Sequence, residues 1–187
     1  MSWIETIEPE NADDILTPLY KRVGNPDGTV DNVMRIHSLN PDSLDAHFEV
    51  YVSAMHRRGP IPRYEREIVG TAVSRANGCE YCTHHHAAGL ARMLDDDRED
   101  LPDSLVDGSV AHLTDREKRM VEYAIKLTQA PQSMHEDDLS PLRDAGLNDR
   151  EILDLACIVA YFNYANRIVM GLGVELEASG IGQHPVT

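Results

Sequence analysis

The sequence is poor in cysteine, basic and aromatic residues, and each scarcity excludes a class of protein. Three cysteines among 187 residues are too few for a disulfide-stapled secreted domain. Lys and Arg number 17 against 32 Asp and Glu, and the formal charge of -15 argues against nucleic acid or an anionic membrane as a partner. Only 5% of the residues are aromatic while 42% are hydrophobic, which suits packed helices better than a β-sandwich.

We expect no export signal, and the chain has no long uninterrupted apolar run. The first five residues contain neither a basic nor an apolar segment, so we expect a cytoplasmic protein. Polar residues interrupt the longest apolar stretch, 152–174, and we interpret it as a buried core helix rather than a membrane span. Thiols stay reduced in the cytoplasm, so neighbouring cysteines there are expected to be catalytic or metal-binding.

Apolar residues recur with helical spacing along the chain, and sustained strand-like alternation is missing. We therefore predict one all-α domain over 1–187, a bundle of about seven helices. The acidic run at 95–100 is interpreted as a solvated loop. The predicted helices cover 12–23, 40–55, 63–76, 79–94, 114 to the break at Pro131, 136–145, and 148 to Gly171 or Gly173.

Cys79 and Cys82 form a CxxC pair directly after Asn77-Gly78, a signal that ends a helix. Because an α-helix turns by about 100° per residue, Cys79, Cys82 and His86 project from one face of the next helix. The helix dipole favours a thiolate in the first turn, and His86 lies within reach of proton exchange with a thiol. Helix position alone makes Cys79 the more acidic and more exposed thiol.

Glu67 lies on the preceding predicted helix, on a stripe of small residues formed by Gly70, Thr71 and Ser74. Such a stripe allows another helix to approach closely, which leaves the carboxylate facing a confined space. A buried Glu67 beside His86 would fix the imidazole tautomer and accept a proton.

The spacing of these residues resembles a known active-site signature. Glu67, eleven residues, Cys79, two residues, Cys82, three residues and His86 match the pattern of the alkylhydroperoxidase D family, within the carboxymuconolactone decarboxylase-like superfamily. The segments 77–82, 161–167 and 171–175 are similar to the branch called uncharacterised peroxidase-related enzymes. The resemblance extends from about Ile36 to Glu175 and covers nearly the whole chain.

The resemblance implies an all-helical fold of the alkylhydroperoxidase D-like type and a thiol-dependent peroxidase that reduces hydroperoxides with a dithiol reductant, without bound cofactor or metal. It also implies a homo-oligomer, commonly a trimer or hexamer, with a dimer as a further option. Cys82 matches the peroxidatic cysteine that becomes a sulfenic acid, and Cys79 its resolving partner. Glu67 and His86 match the proton relay. Tyr81 departs from the family, which places a histidine immediately before the second cysteine.

The family assignment makes Cys82 the attacking thiol, whereas helix position makes Cys79 the more acidic one, and we follow the family.

Two other functions fit the same cysteines. A zinc site would use Cys79, Cys82 and His86, with His85 or Glu67 as the fourth ligand. A redox-sensing or interaction protein would form the disulfide without turning over. Lactone decarboxylation, the activity of the superfamily's other named branch, is not expected, because that branch does not rely on a CxxC pair.

The remaining residues receive structural interpretations. Cys157 is expected to be a small buried hydrophobic residue. Asn166 and Arg167 are expected to have a structural role near a subunit interface. The aromatic residues expected in the core or at an interface are Tyr161, Phe162 and Tyr164. Six scattered histidines are assigned no role, namely His37, His47, His56, His112, His135 and His184.

Overall fold

The computed structural model describes residues 2–178 and 181, and the α-helices and turns found there confirm the predicted all-α fold. No strand occurs within these residues. A π-helical turn, Val52–His56, follows the third helix. The described part of the chain contains nine α-helices: α1 (Leu16–Val23), α2 (Asn32–Arg35), α3 (Pro41–Tyr51), α4 (Arg63–Ala76), α5 (Glu80–Ala91), α6 (Leu101–Asp107), α7 (Asp115–Gln129), α8 (Ser140–Asp144) and α9 (Asp149–Gly171).

The helices that carry the candidate site agree well with the prediction. Helix α4 has the predicted bounds, and α5 begins at Glu80 with Cys79 as its N-cap. Helix α1 begins four residues later than predicted, because the Asp13 carboxylate accepts a hydrogen bond from the Leu16 amide at 2.8 Å and so caps the helix there. The short helices α2 and α6 were not predicted.

The predicted helix over 136–145 is divided in two. A 3₁₀ turn, Glu136–Leu139, precedes α8, and Pro141 stands in the first turn of α8. Proline has no N–H to donate to the preceding turn, so it favours the start of a new helix over the continuation of an old one.

Helix α4 lies at the centre of the bundle, in contact with α5, α7 and α9. All ten of its residues from Glu65 to Ser74 are buried. A Cβ atom at Gly70 would lie 2.2 Å from Cζ of Phe162, so only glycine at this position allows α9 to come so close. The stripe of small residues on α4 therefore has the predicted role.

Buried ion pairs join the N-terminal ends of three helices. Arg116 of α7 donates to Glu65 of α4 at 2.9 Å and to Glu151 of α9 at 2.8 Å. Helix α7 begins with the predicted capping box, in which Thr114 and Glu117 each accept from the other's backbone amide. These contacts fix the registry of α4, α7 and α9 around the site.

Helix α9 has the length and composition to span a membrane, but 50% of its apolar window is buried inside the protein, as a core helix requires. Tyr161 and Phe162 lie in the core as predicted, while Tyr164 is 41% exposed. The prediction for Cys157 is wrong: its side chain is exposed. It lies on the outer face of α9 with Leu153, which is 59% exposed, one turn before it.

Candidate active site

The structure brings Glu67 of α4 and His86 of α5 into direct contact. Oε2 of Glu67 lies 2.6 Å from Nδ1 of His86, and both side chains are buried. Because a carboxylate only accepts hydrogen bonds, Nδ1 of His86 carries a proton, and in the neutral ring the lone pair then lies on Nε2. Arg63 donates to Oε1 of Glu67 at 3.3 Å and to Nδ1 of His56 at 3.0 Å. The imidazole of His86 is thus held in the tautomer that can act as a base through Nε2.

Cys79 and Cys82 are both reduced and both buried, at 1% and 4% exposure. The expectation of an exposed Cys79 is wrong, because the N-cap of α5 packs inside a small apolar cluster with Ile36, Val169 and Val174. Both cysteines lie at the start of α5, as predicted.

The two thiols have opposite pKa shifts. Hydrogen bonding from the Cys82 thiol, and more weakly from the Cys82 amide and from Asn166, lowers the pKa of Cys79 despite its burial. The same contact with Cys79, together with burial, raises the pKa of Cys82 well above its ordinary value. At rest Cys79 is therefore the first thiol to ionise, and Cys82 keeps its proton. This order agrees with the acidity expected from helix position.

A small cavity lies on the Cys82 side of the pair. Its volume of about 20 Å³ is enough for one molecule of the size of water. Cys79 is not among the residues that line it, so Cys82 presents the sulfur that a small molecule in this cavity meets. The lining residues are Asp31, Val33, Met34, Tyr51, Tyr81, Cys82, His85, His86, Tyr161, Phe162 and Ala165.

Asn166 is completely buried beside the thiols. Its Nδ2 donates to Oγ of Ser74 at 3.1 Å, and its Oδ1 accepts from Asn77 at 2.9 Å. The Asn166 side chain also hydrogen-bonds Cys79 and Cys82 and makes a smaller, lowering contribution to the pKa of each. The one sequence signal for this role is an amide within an otherwise apolar helix, since buried polar groups need partners.

The hydroxyl of Tyr81, at the position where the sequence departs from the family, belongs to a second network. It donates to Oε1 of Glu177 at 2.8 Å and accepts from the Val33 amide at 3.2 Å. Nε2 of His85 lies 2.6 Å from Oε2 of Glu177. Burial raises the pKa of Glu177, but hydrogen bonds from His85 and from the Asn32 amide outweigh it and lower the pKa to about 2.

The two residues considered as the fourth ligand of a zinc site have other partners in the structure. His85 is paired with Glu177, and Glu67 is paired with His86. Within residues 2–178 and 181, no group of three or more His, Cys, Asp and Glu side chains is placed to hold a metal ion.

Two of the histidines without a predicted role form a hydrogen-bonded chain with Tyr161, so the description of them as scattered is corrected. Nε2 of His47 lies 3.2 Å from the Tyr161 hydroxyl, and Nδ1 of His47 lies 2.9 Å from Nε2 of His37. These contacts join residues 10 and 114 positions apart, which no local pattern reveals. His56 contacts Arg63, and His184 lies outside the described residues.

Comparisons with known proteins agree with this fold. The family model of the carboxymuconolactone decarboxylase family matches residues 41–126, which include the whole Glu67 to His86 segment. The comparison with curated proteins finds no match.

Solved structures match over most of the chain. The alkylhydroperoxidase AhpD core, an uncharacterized peroxidase-related protein from Ralstonia eutropha JMP134, is 27% identical, with a TM-score of 0.83 over 95% of this chain and 93% of that chain. An uncharacterized peroxidase-related protein from Silicibacter sp. TM1040 is 29% identical, with a TM-score of 0.80 over 89% of this chain and 88% of that chain. The debrominase Bmp8, at 17% identity, shares the fold, with a TM-score of 0.76 over 92% of this chain and 91% of that chain. The predicted resemblance is thereby confirmed: residues 41–126 match the model of the carboxymuconolactone decarboxylase family, and the fold of the chain is similar to that of the alkylhydroperoxidase AhpD core.

Proposed function

We propose that this protein is a thiol-dependent peroxidase that reduces hydroperoxides through a cycle of Cys79 and Cys82. The observation that carries the proposal is the position of Cys82, which lines a closed cavity and hydrogen-bonds a Cys79 sulfur of lowered pKa. His86, which is hydrogen-bonded to Glu67, lines the same cavity. The names of the structures at 27% and 29% identity, both peroxidase-related, support the same activity.

Cys82 is the attacking sulfur in this proposal even though its pKa is raised, because it is the thiol that lines the cavity. His86 follows one helical turn later, so Nε2 is suited to take the Cys82 proton, and Glu67 stabilises the imidazolium that forms. The Cys82 thiolate then attacks the terminal oxygen of R–O–O–H. The O–O bond breaks, sulfur is oxidised to a sulfenic acid, and an alkoxide leaves.

Cys79 resolves the sulfenic acid. Its lowered pKa favours the thiolate, which attacks the Cys82 sulfur and forms the disulfide. The displaced hydroxide takes the proton held by His86 and leaves as water. An external dithiol then reduces the disulfide and is itself oxidised, which restores the starting pair.

The size of the cavity limits the size of the substrate that fits beside Cys82. A volume of about 20 Å³ accepts hydrogen peroxide or the peroxy end of a small alkyl hydroperoxide. A bulkier substrate would require the aromatic wall, which includes Tyr51, Tyr161 and Phe162, to move. We therefore expect a preference for small hydroperoxides.

The experiment is a peroxide-consumption assay of the purified protein with a panel of dithiol donors, beside Cys82→Ser and Cys79→Ser. Wild type should turn over with at least one donor, and both variants should not. Dimedone, which traps sulfenic acids, should label Cys79→Ser at Cys82 and leave Cys82→Ser unlabelled. The reverse labelling would make Cys79 the attacking thiol. A disulfide that forms with peroxide but never turns over would identify a redox sensor instead.

The protein is further proposed to act as a cytoplasmic homo-oligomer, a trimer or hexamer, or a dimer. The outer face of α9 supports this, because Leu153 and Tyr164 expose 59% and 41% of their surface there. Light scattering on the purified protein tests this. A monomer at micromolar concentration would contradict it.

A further inference from the structure

Four hydrogen-bonded side chains lead from the Cys82 cavity towards the surface. Tyr161 lines the cavity, and its hydroxyl lies 3.2 Å from Nε2 of His47. Nδ1 of His47 lies 2.9 Å from Nε2 of His37. Nδ1 of His37 lies 2.8 Å from Oγ of Ser43, a half-buried residue in the first turn of α3. The chain thus joins the wall of a closed cavity to a residue with access to solvent.

Both imidazoles in this chain are neutral. Burial lowers the pKa of His47 to about 3, with a further contribution from His37, and burial also lowers the pKa of His37. A neutral imidazole has one donor nitrogen and one acceptor nitrogen. The chain therefore has two self-consistent arrangements. In the first arrangement, every donor hydrogen points towards the cavity, and the Tyr161 O–H can donate to a molecule there. In the second arrangement, every donor hydrogen points towards Ser43.

Conversion of one arrangement into the other moves one proton along the chain without creating a buried ion. Each imidazole changes tautomer: it accepts a proton at one ring nitrogen and gives up the proton held by its other ring nitrogen. The avoidance of a charge matters because an ionised group in an apolar interior is strongly disfavoured. The rings of Tyr161 and Tyr164 also lie against His47, with centroids 5.7 and 5.4 Å away.

The proposed peroxidase cycle needs a proton from outside. In the proposed cycle the reduced pair starts with one proton, in the state that the hydrogen bond from the Cys82 thiol and the lowered pKa of Cys79 favour: a Cys79 thiolate that accepts from the Cys82 thiol. Cys79–S⁻, Cys82–SH and R–O–O–H yield the disulfide, R–OH and water only if one more proton is supplied. His86 returns the Cys82 proton to the departing hydroxide, so the alkoxide remains without one.

We propose that Tyr161, His47, His37 and Ser43 form the path that delivers this proton. The alkoxide takes the Tyr161 hydroxyl proton, and His47 replaces it from Nε2. His37 then supplies Nδ1 of His47, Ser43 supplies His37, and water supplies Ser43. Reduction of the disulfide by a dithiol releases one proton, which leaves by the reverse conversion. The inference rests on the proposed function, since Tyr161 acts here on that reaction's product; His47 and His37 are positioning residues that act through Tyr161.

The kinetic test measures oxidation of the reduced protein by hydrogen peroxide in a single turnover. Tyr161→Phe removes the hydroxyl, and His47→Gln keeps one donor and one acceptor but cannot exchange tautomers. We expect both to slow oxidation about tenfold or more. The matched control is Tyr164→Phe, which removes a hydroxyl from the same helix outside the chain and should react like wild type. The rate in mixtures of H₂O and D₂O should depend non-linearly on deuterium content in wild type and linearly in His47→Gln.

A second measurement does not depend on peroxidase activity. In ¹⁵N-histidine NMR of the reduced protein, we expect His47 and His37 to take up no proton between pH 5 and 8. Both ring nitrogens of each should resonate between the donor and acceptor positions, because the two arrangements exchange. One fixed tautomer in each ring, or a wild-type rate for Tyr161→Phe, would overturn the path. Absence of peroxide reduction by wild type, with exchanging tautomers, would instead overturn the proposed function and leave the path in place.

Discussion

Nδ1 of His86 lies 2.6 Å from Oε2 of Glu67, across 19 positions of sequence, in a setting that excludes solvent from both groups. The carboxylate determines which nitrogen of His86 carries the proton. It also compensates the charge that His86 gains when Nε2 accepts a proton. The base strength of this histidine therefore depends on a residue of the neighbouring helix.

Glu67→Gln should slow peroxide-driven oxidation of Cys82 by about 100-fold, because the amide removes the compensating charge and can donate to Nδ1, which favours the wrong tautomer. The measurement is single-turnover oxidation followed by mass spectrometry. Glu65→Gln is the matched control: it removes another buried carboxylate of α4, one that pairs with Arg116 rather than with His86. Equal oxidation rates for the two variants would exclude the role of Glu67.

Asn166→Ala should make the thiol pair less reactive, because loss of its hydrogen bonds raises the pKa of Cys79 and Cys82. We expect alkylation by iodoacetamide at pH 7 to slow several-fold, and the free energy of unfolding to fall by about 1–3 kcal/mol. Asn163→Ala serves as the control, since Asn163 also accepts from Asn77, at 3.2 Å. An alkylation rate that falls equally in both variants would indicate a packing effect rather than a direct contact with sulfur.

The parts of the site that the sequence predicts are those set by local geometry. The spacing of Cys79, Cys82 and His86 within one helix determines their common face, and the small residues of α4 indicate where Glu67 is buried. The sequence predicts only one part of the opposite pKa shifts of the two thiols. Helix position indicates the acidity of Cys79, whereas its burial depends on packing against Ile36 and the end of α9.

The other parts depend on contacts between distant elements. His47 meets Tyr161 through the packing of α3 on α9, and a lone histidine on a helix gives no sign of this. The apolar neighbours Ala156 and Ile158 predict a buried Cys157, which is wrong. Helix α9 is apolar on most sides, so the spacing of its apolar residues does not indicate which side faces outward.

Gly70→Ala should destabilise the protein by about 1–3 kcal/mol or more, because the new methyl group would lie 2.2 Å from Phe162. The displaced ring also packs edge-on against His86, with centroids 4.6 Å apart, so oxidation of Cys82 should slow as well. Urea unfolding followed by circular dichroism measures the first effect. Gly171→Ala is the control, since a Cβ there meets no atom within 4 Å; its stability should stay within about 1 kcal/mol of wild type. A stable Gly70→Ala protein would show that α9 can shift.

Acid should destabilise the protein in part through His47. Its pKa is about 3 in the folded protein against an ordinary value of 6.5, so the unfolded chain binds more protons between these values. The free energy of unfolding therefore rises with pH in this window and falls as pH drops from 6.5 towards 3. By pH 4 the loss due to His47 should be about 3 kcal/mol.

His47→Gln removes this titration and leaves the carboxylates and the other histidines in place. Its free energy of unfolding should be lower than that of wild type at pH 7, where the variant lacks the native packing. The difference between the two proteins should narrow as pH falls to 4, because only wild type loses the His47 contribution. Urea unfolding at several pH values measures both curves. Parallel curves would mean that His47 protonates equally readily in the folded and unfolded chain, which its 1% exposure argues against.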